Sequence, residues 1–115
     1  MTVSERMVGD VAVLALDGRF TQGASADGLS DKVRSLLQQG TKQLLVNLAG
    51  VSYMDSGGLG ELVHAYATVT KQGGSMKLVN ATKRLQDLLV ITRLSTVFDS
   101  FDDEAEAVGS FGAEV

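Results

Sequence analysis

Three short, mostly apolar runs set the strongest limit on how this chain can fold: VAVLAL (Val11–Leu16), QLLVNL (Gln43–Leu48) and MKLV (Met76–Val79). They are too short for ordinary helices and have too few polar positions for strands with one wet face. Strands of this kind need helices to cover them, and the intervening segments have helical periodicity. Leu29, Val33, Leu36 and Leu37 recur at i, i+4, i+7 and i+8, with a cap near Ser25 and Gly40 just past the end. Leu59, Leu62, Val63, Tyr66 and Val69 line one face of a second helix that runs to about Gln72 and stops at Gly73 and Gly74. Thr82 caps a third, carrying Leu85, Leu88, Leu89 and, at its limit, Leu94.

The remaining segments complete the order. Thr2–Val8 alternates loosely as a half-exposed strand, and Gly9-Asp10 forms the hairpin turn into Val11–Leu16, which Asp17 and Gly18 close. A loop over Arg19–Ala24 leads to the first helix. A short strand around Val97–Asp99 and a helix from about Asp102 end the chain. The predicted fold is α/β, in the order β-β-α-β-α-β-α-β-α. It has a mixed, mostly parallel sheet of four to five strands, about four helices and an opening β-hairpin, with residues 1–115 forming a single domain.

Composition narrows the function. Cys is absent and His64 is the single histidine, so no disulfide, thiol catalysis or structural zinc site is expected, and no metal or cofactor is assigned. The formal charge is −4 and the 10 Lys and Arg are scattered, with Lys83-Arg84 the one adjacent pair. Nucleic-acid binding needs a concentrated basic face, so it is not expected. No run approaches the roughly 20 apolar residues of a membrane span, and charges occupy the place of a signal sequence. A soluble cytoplasmic domain follows as the expectation.

The stretch SYMDSGGLGELV (Ser52–Val63) carries the chemistry. A strand ends at Met54 and a helix follows, yet Gly57, Gly58 and Gly60 stand among its first positions. Glycine costs roughly 1 kcal/mol relative to alanine at each interior helical position. The plainest role for Ser56 is a helix N-cap, but a cap gains nothing from three glycines. They allow another molecule to approach, or tight packing on the sheet, or helix N–H groups left open to an anion. The turn lies at the carboxyl end of a parallel strand, where open α/β sheets place their sites. Ser56 is therefore a candidate acceptor of a phosphoryl group, or a contact for another molecule's phosphate.

Other chemistries fail on spacing. There is no Gly-Lys-Ser/Thr for a P-loop, and GGLGEL does not fit G-x-G-x-x-G. A hydrolytic triad would need His64, which on one helix stands about 12 Å from Ser56. A solvated surface position is expected for it, and an enzymatic role is not.

NLAGVSYMDSGGLGELV resembles the signature of the STAS domain, and of the bacterial anti-sigma-factor antagonists in particular. The similarity extends through LDGRF before the first helix and GGSMKLVNATKRLQDLLVITRLSTVFDSFDDEAEAV after the second. It implies partner switching. The unphosphorylated antagonist binds an anti-sigma factor, itself a serine kinase of the histidine-kinase-like ATPase type, and so releases the sigma factor. Phosphorylation on Ser56 breaks the complex, and a serine phosphatase restores the antagonist. Met54, Asp55, Ser56, Gly57, Gly58, Gly60 and Thr21 would form the contact, the glycines letting a kinase and its nucleotide press against the helix start. Two positions depart from the family's pattern: Thr21 stands where an Asp is common, and Gly57 where a second Ser is common. Thr21 leaves room for the alternative of a non-phosphorylated scaffold subunit in a larger signalling or membrane-transport assembly.

Smaller expectations concern packing. Leu59 and Leu62 belong to the core by periodicity, and Met54 suits either core or contact. Phe20, in a loop, suits capping of the sheet better than contact with a partner, Lys83 and Arg84 lie on a solvated face, and Phe98, Phe101 and Phe111 anchor the terminal helix.

Overall fold

The computed structural model describes residues 2–21 and 26–112, so the expected cap at Ser25 lies outside it. Strands β1 (Thr2–Val8) and β2 (Val11–Phe20) form the opening hairpin, with Val8 opposite Val11 and Gly9 at φ 60° in the turn. Then follow α1 (Ala26–Gln38), β3 (Gln43–Met54), α2 (Ser56–Lys71), β4 (Ser75–Val79), α3 (Lys83–Ile91), β5 (Ser100–Phe101) and α4 (Glu104–Gly112). The five strands lie in chain order, β1-β2-β3-β4-β5. The hairpin pair is antiparallel and every later pair parallel, which is the mixed sheet expected from the apolar runs.

Alternation sorts each strand between two cores. Ala12, Leu14 and Leu16 of β2, Leu44, Val46 and Leu48 of β3, and Met76 and Leu78 of β4 face one side. There they meet Leu29, Val33 and Leu36 of α1, Leu59, Leu62, Ala65 and Val69 of α2, and Leu85 and Leu89 of α3. Val11, Val13, Leu45 and Val79 face the other side, under Ala107 and Phe111 of α4. Lys77 shares that second face. It is 5% exposed, its ammonium lies 3.1 Å from Ser110 Oγ and 4.7 Å from the centre of the Phe111 ring, and its apolar stem is buried.

Two boundaries differ from expectation. Strand β2 does not close at Asp17-Gly18 but continues to Phe20. Strand β3 runs on to Met54 beside it, and register shifts after Ala15 and after Gly18 keep the two paired, Phe20 opposite Met54. The last strand is Ser100–Phe101 rather than Val97–Asp99, because Leu94–Thr96 makes one 3₁₀ turn first. That turn sends Phe98 into the larger core, edge-on to Tyr66 with ring centres 5.0 Å apart. Phe98 thus anchors α2 and α3, while Phe101 and Phe111 serve α4.

Candidate functional site

The extended ends of β2 and β3 deliver the site. With Phe20 beside Met54, the chain at Phe20-Thr21 reaches the start of α2. Phe20 is wholly buried, as a residue closing the sheet end should be. Next to it, the Arg19 guanidinium lies 4.5 Å from the centre of the Tyr53 ring.

The cap of α2 is Asp55, not Ser56. Asp55 is extended (φ −101°, ψ −175°), and its Oδ1 accepts from the Gly58 N–H at 2.8 Å while its carbonyl accepts from Leu59 N–H at 2.9 Å. A carboxylate at this end also complements the helix dipole. Ser56 is consequently the first helical residue. Its side chain is exposed, and its hydroxyl makes no hydrogen bond among the described residues. Beyond the Asp55 cap the first turn contains no acidic residue, and the N–H groups of Ser56 and Gly57 have no intrahelical acceptor.

The glycines divide into two kinds. A Cβ on Gly58 would lie 2.0 Å from the Phe20 carbonyl oxygen, a backbone atom that cannot move aside. Gly58 is therefore demanded by the fold: it lets α2 seat against the end of β2, and no external partner is needed to explain it. Gly60 is the opposite case, since a Cβ there would meet nothing within 4 Å and the residue is exposed. Gly57 and Gly60 floor an open depression of about 490 Å³ whose other lining residues are Ser56, Glu61, His64 and Ser30 of α1.

Of the residues expected to form the contact, Ser56, Gly57 and Gly60 line this depression. Asp55 and Thr21 are not among its lining residues: Asp55 caps the helix, and Thr21 follows Phe20, whose carbonyl meets Gly58. Met54 is 7% exposed and packs among Leu48, Leu59, Leu62, Leu85, Leu88 and Leu89, so it is core first. Periodicity gave no sign of Ser30 or Glu61. His64 is exposed, as expected, but lines the depression. The usable signal lay in Gly57 and Gly60, which on one helix uncover whatever stands a turn further on. Among the described residues no group of three or more carboxylate or imidazole side chains could hold a metal ion, and no helix is long and apolar enough to cross a membrane.

The STAS domain family matches residues 4–107. The chain belongs to the STAS domain family. Over 75 residues it is 47% identical to the anti-sigma-B factor antagonist of Bacillus subtilis, covering 65% of this chain and 68% of that protein. Matches to the antagonists of Staphylococcus species cover 61% of their length, so the chain spans under two thirds of those relatives. Among solved structures, the phosphorylated form of the Bacillus cell-fate determinant SpoIIAA superposes with a TM-score of 0.75 at 20% identity, over 96% of this chain and 99% of that one. A sulfate transporter family protein from Wolinella succinogenes superposes with a TM-score of 0.80 at 19% identity, over 96% and 93%. Proteins as differently described as these two share this fold, so function must be argued from the site.

Proposed function

We propose that this STAS domain is an anti-sigma-factor antagonist that works by partner switching, with Ser56 as the phosphoryl acceptor. The observation that carries the reading is the division of labour at the start of α2: Asp55 takes the cap and leaves the Ser56 hydroxyl exposed and unengaged. The 47% identity to a Bacillus subtilis antagonist supports it. In this reading the unphosphorylated protein holds an anti-sigma serine kinase of the histidine-kinase-like ATPase type and frees the sigma factor, and a serine phosphatase resets it after phosphorylation.

The physics of the switch follows from where the charge lands. A phosphate adds about −1.5 to −2 charge. At the first position of a helix that charge meets free N–H donors and the positive end of the dipole, so the fold tolerates it. A partner surface fitted to a neutral hydroxyl does not. Burying the uncompensated charge against it costs several kcal/mol, sufficient to release the partner. A scaffold role, toward which Thr21 leans, requires a partner indifferent to Ser56. Intact-protein and peptide mass spectrometry of the protein isolated from its source cells separates the two. One phosphoryl group on Ser56, absent from Ser56→Ala, is expected; a protein never modified there, in cells with the kinase active, contradicts the switch.

A further inference from the structure

The outer face of α3 is apolar where a surface helix is ordinarily polar. Leu85 and Leu89 form its buried stripe, and Arg84, Leu88 and Ile91 recur beside it at i, i+4 and i+7 as a second one. Ile91 is 78% exposed and Val90 63%, and with Val97 they are three of the four large hydrophobic side chains exposed among the described residues. One such residue needs no explanation, but a cluster between positions 90 and 97 does. The charge here also runs against the rest of the chain. Lys83, Arg84 and Arg93 are accompanied by one carboxylate, Asp87, between residues 80 and 98, in a protein of net charge −4. Lys83 reaches Asp87 only at 4.0 Å, and Arg84 and Arg93 form no ion pair among the described residues. Lys83 and Arg84 also stand in the first turn of α3, where the helix dipole disfavours cations. The helix gains nothing from their charge, whereas a partner of opposite sign would.

These side chains border an open groove of about 540 Å³, lined by Met54, Lys83, Arg84, Asp87, Leu88 and Ile91, with the cap Thr82 outside it. We propose that the groove docks an acidic, apolar segment of the partner protein that meets Ser56. An aliphatic or aromatic side chain would lie over Met54, Leu88 and Ile91, with Asp or Glu residues against Lys83 and Arg84. The inference rests on reading the start of α2 as the docking site of the switch, and it adds the chemistry that the partner must present. Covering Ile91 removes apolar surface from water, and carboxylates relieve cations that the helix dipole opposes. On an otherwise acidic protein, one basic patch also fixes where such a segment lands and which way round. Met54 joins the groove to the switch: it is the last residue of β3, and Asp55 and Ser56 follow it directly. A phosphate on Ser56 adds negative charge beside an acidic segment and repels it, so groove and switch act in the same direction.

The test purifies a protein retained from source-cell lysate by the wild-type domain. Its affinity is then measured for Arg84→Glu, for Lys83→Glu combined with Arg84→Glu, and for Ile91→Ala, Ser56→Ala and Ser56→Asp. Thermal melts show that each variant folds; a carboxylate in the first turn suits the dipole, so Arg84→Glu should melt no lower than the wild type. The double variant is expected to weaken binding about a hundredfold and Ile91→Ala about tenfold. A single Asp→Lys or Glu→Lys change in the partner should restore binding to Arg84→Glu, which a merely structural role for Arg84 would not allow. Retention of no protein, or wild-type affinity in either the double variant or Ile91→Ala, overturns the inference. If the α3 variants fail to bind while both Ser56 variants bind equally, the groove stands and the switch falls; the reverse pattern removes the groove and keeps the switch. Two controls name other occupants. Binding to phosphatidylserine vesicles that the double variant loses would assign the patch to a membrane. Self-association of this chain that Ile91→Ala abolishes in sedimentation would make the occupant a second copy. Either result overturns the assignment to a partner protein.

Discussion

Helices α2 and α3 start at the carboxyl ends of neighbouring parallel strands, β3 and β4, and both are capped by a side-chain oxygen. At α3 the cap is Thr82, whose hydroxyl accepts from Leu85 N–H at 3.3 Å. The hydroxyl is used up in the cap, and the next two residues, Lys83 and Arg84, place long cationic side chains at a helix end that favours anions. At α2 a carboxylate does the capping, the hydroxyl belongs to the following residue, and small residues follow it. A helix start thus becomes a candidate switch when cap and acceptor are separate residues and the first turn is uncovered. The order Asp-Ser provides the first condition, and Gly57 and Gly60 provide the second.

The comparison is broken most severely at Gly58. Gly58→Ala forces a methyl group 2.0 Å from the Phe20 carbonyl, and urea denaturation should show a loss of about 3 kcal/mol, at the upper end of overpacking costs. Little loss would mean that α2 can move away from β2. Asp55→Ala and Thr82→Ala test the two caps against each other. Each should cost about 1 kcal/mol, and only Asp55→Ala, at the α2 start, should also weaken partner binding. Equal effects on the partner would dissolve the distinction between the helices. Gly60→Ala gives the smallest change and the opposite sign. With open space around it the substitution should stabilise the fold by about 0.5–1 kcal/mol, and destabilisation would show that Gly60 also serves packing.

Much of this architecture is legible before any coordinates are drawn. The apolar runs mark β2, β3 and β4, Thr82 marks the start of α3, and DSGGLG marks the site. What escapes has a common cause, dependence on a distant partner. Asp17 and Gly18 are polar or flexible enough to end a strand alone, but pairing with Gly50 and Val51 carries β2 past them. Gly58 is one of three similar glycines in sequence and becomes singular only because the Phe20 carbonyl arrives beneath it. Ser56 and Asp55 are equally good caps by residue type. The choice fell to Asp55 because β3 stays extended through Met54, which leaves Asp55 as the half-helical residue and puts Ser56 inside the helix.

The most direct measurement takes a protein retained from source-cell lysate by the unmodified domain and compares its affinity for that domain and for the domain phosphorylated on Ser56, with the melting temperature of each recorded alongside. The account expects nearly unchanged melting and a loss of binding by at least a hundredfold, the equivalent of about 2.7 kcal/mol. Equal affinities with Ser56 fully phosphorylated would contradict it and leave the α2 start as a structural turn in a scaffold.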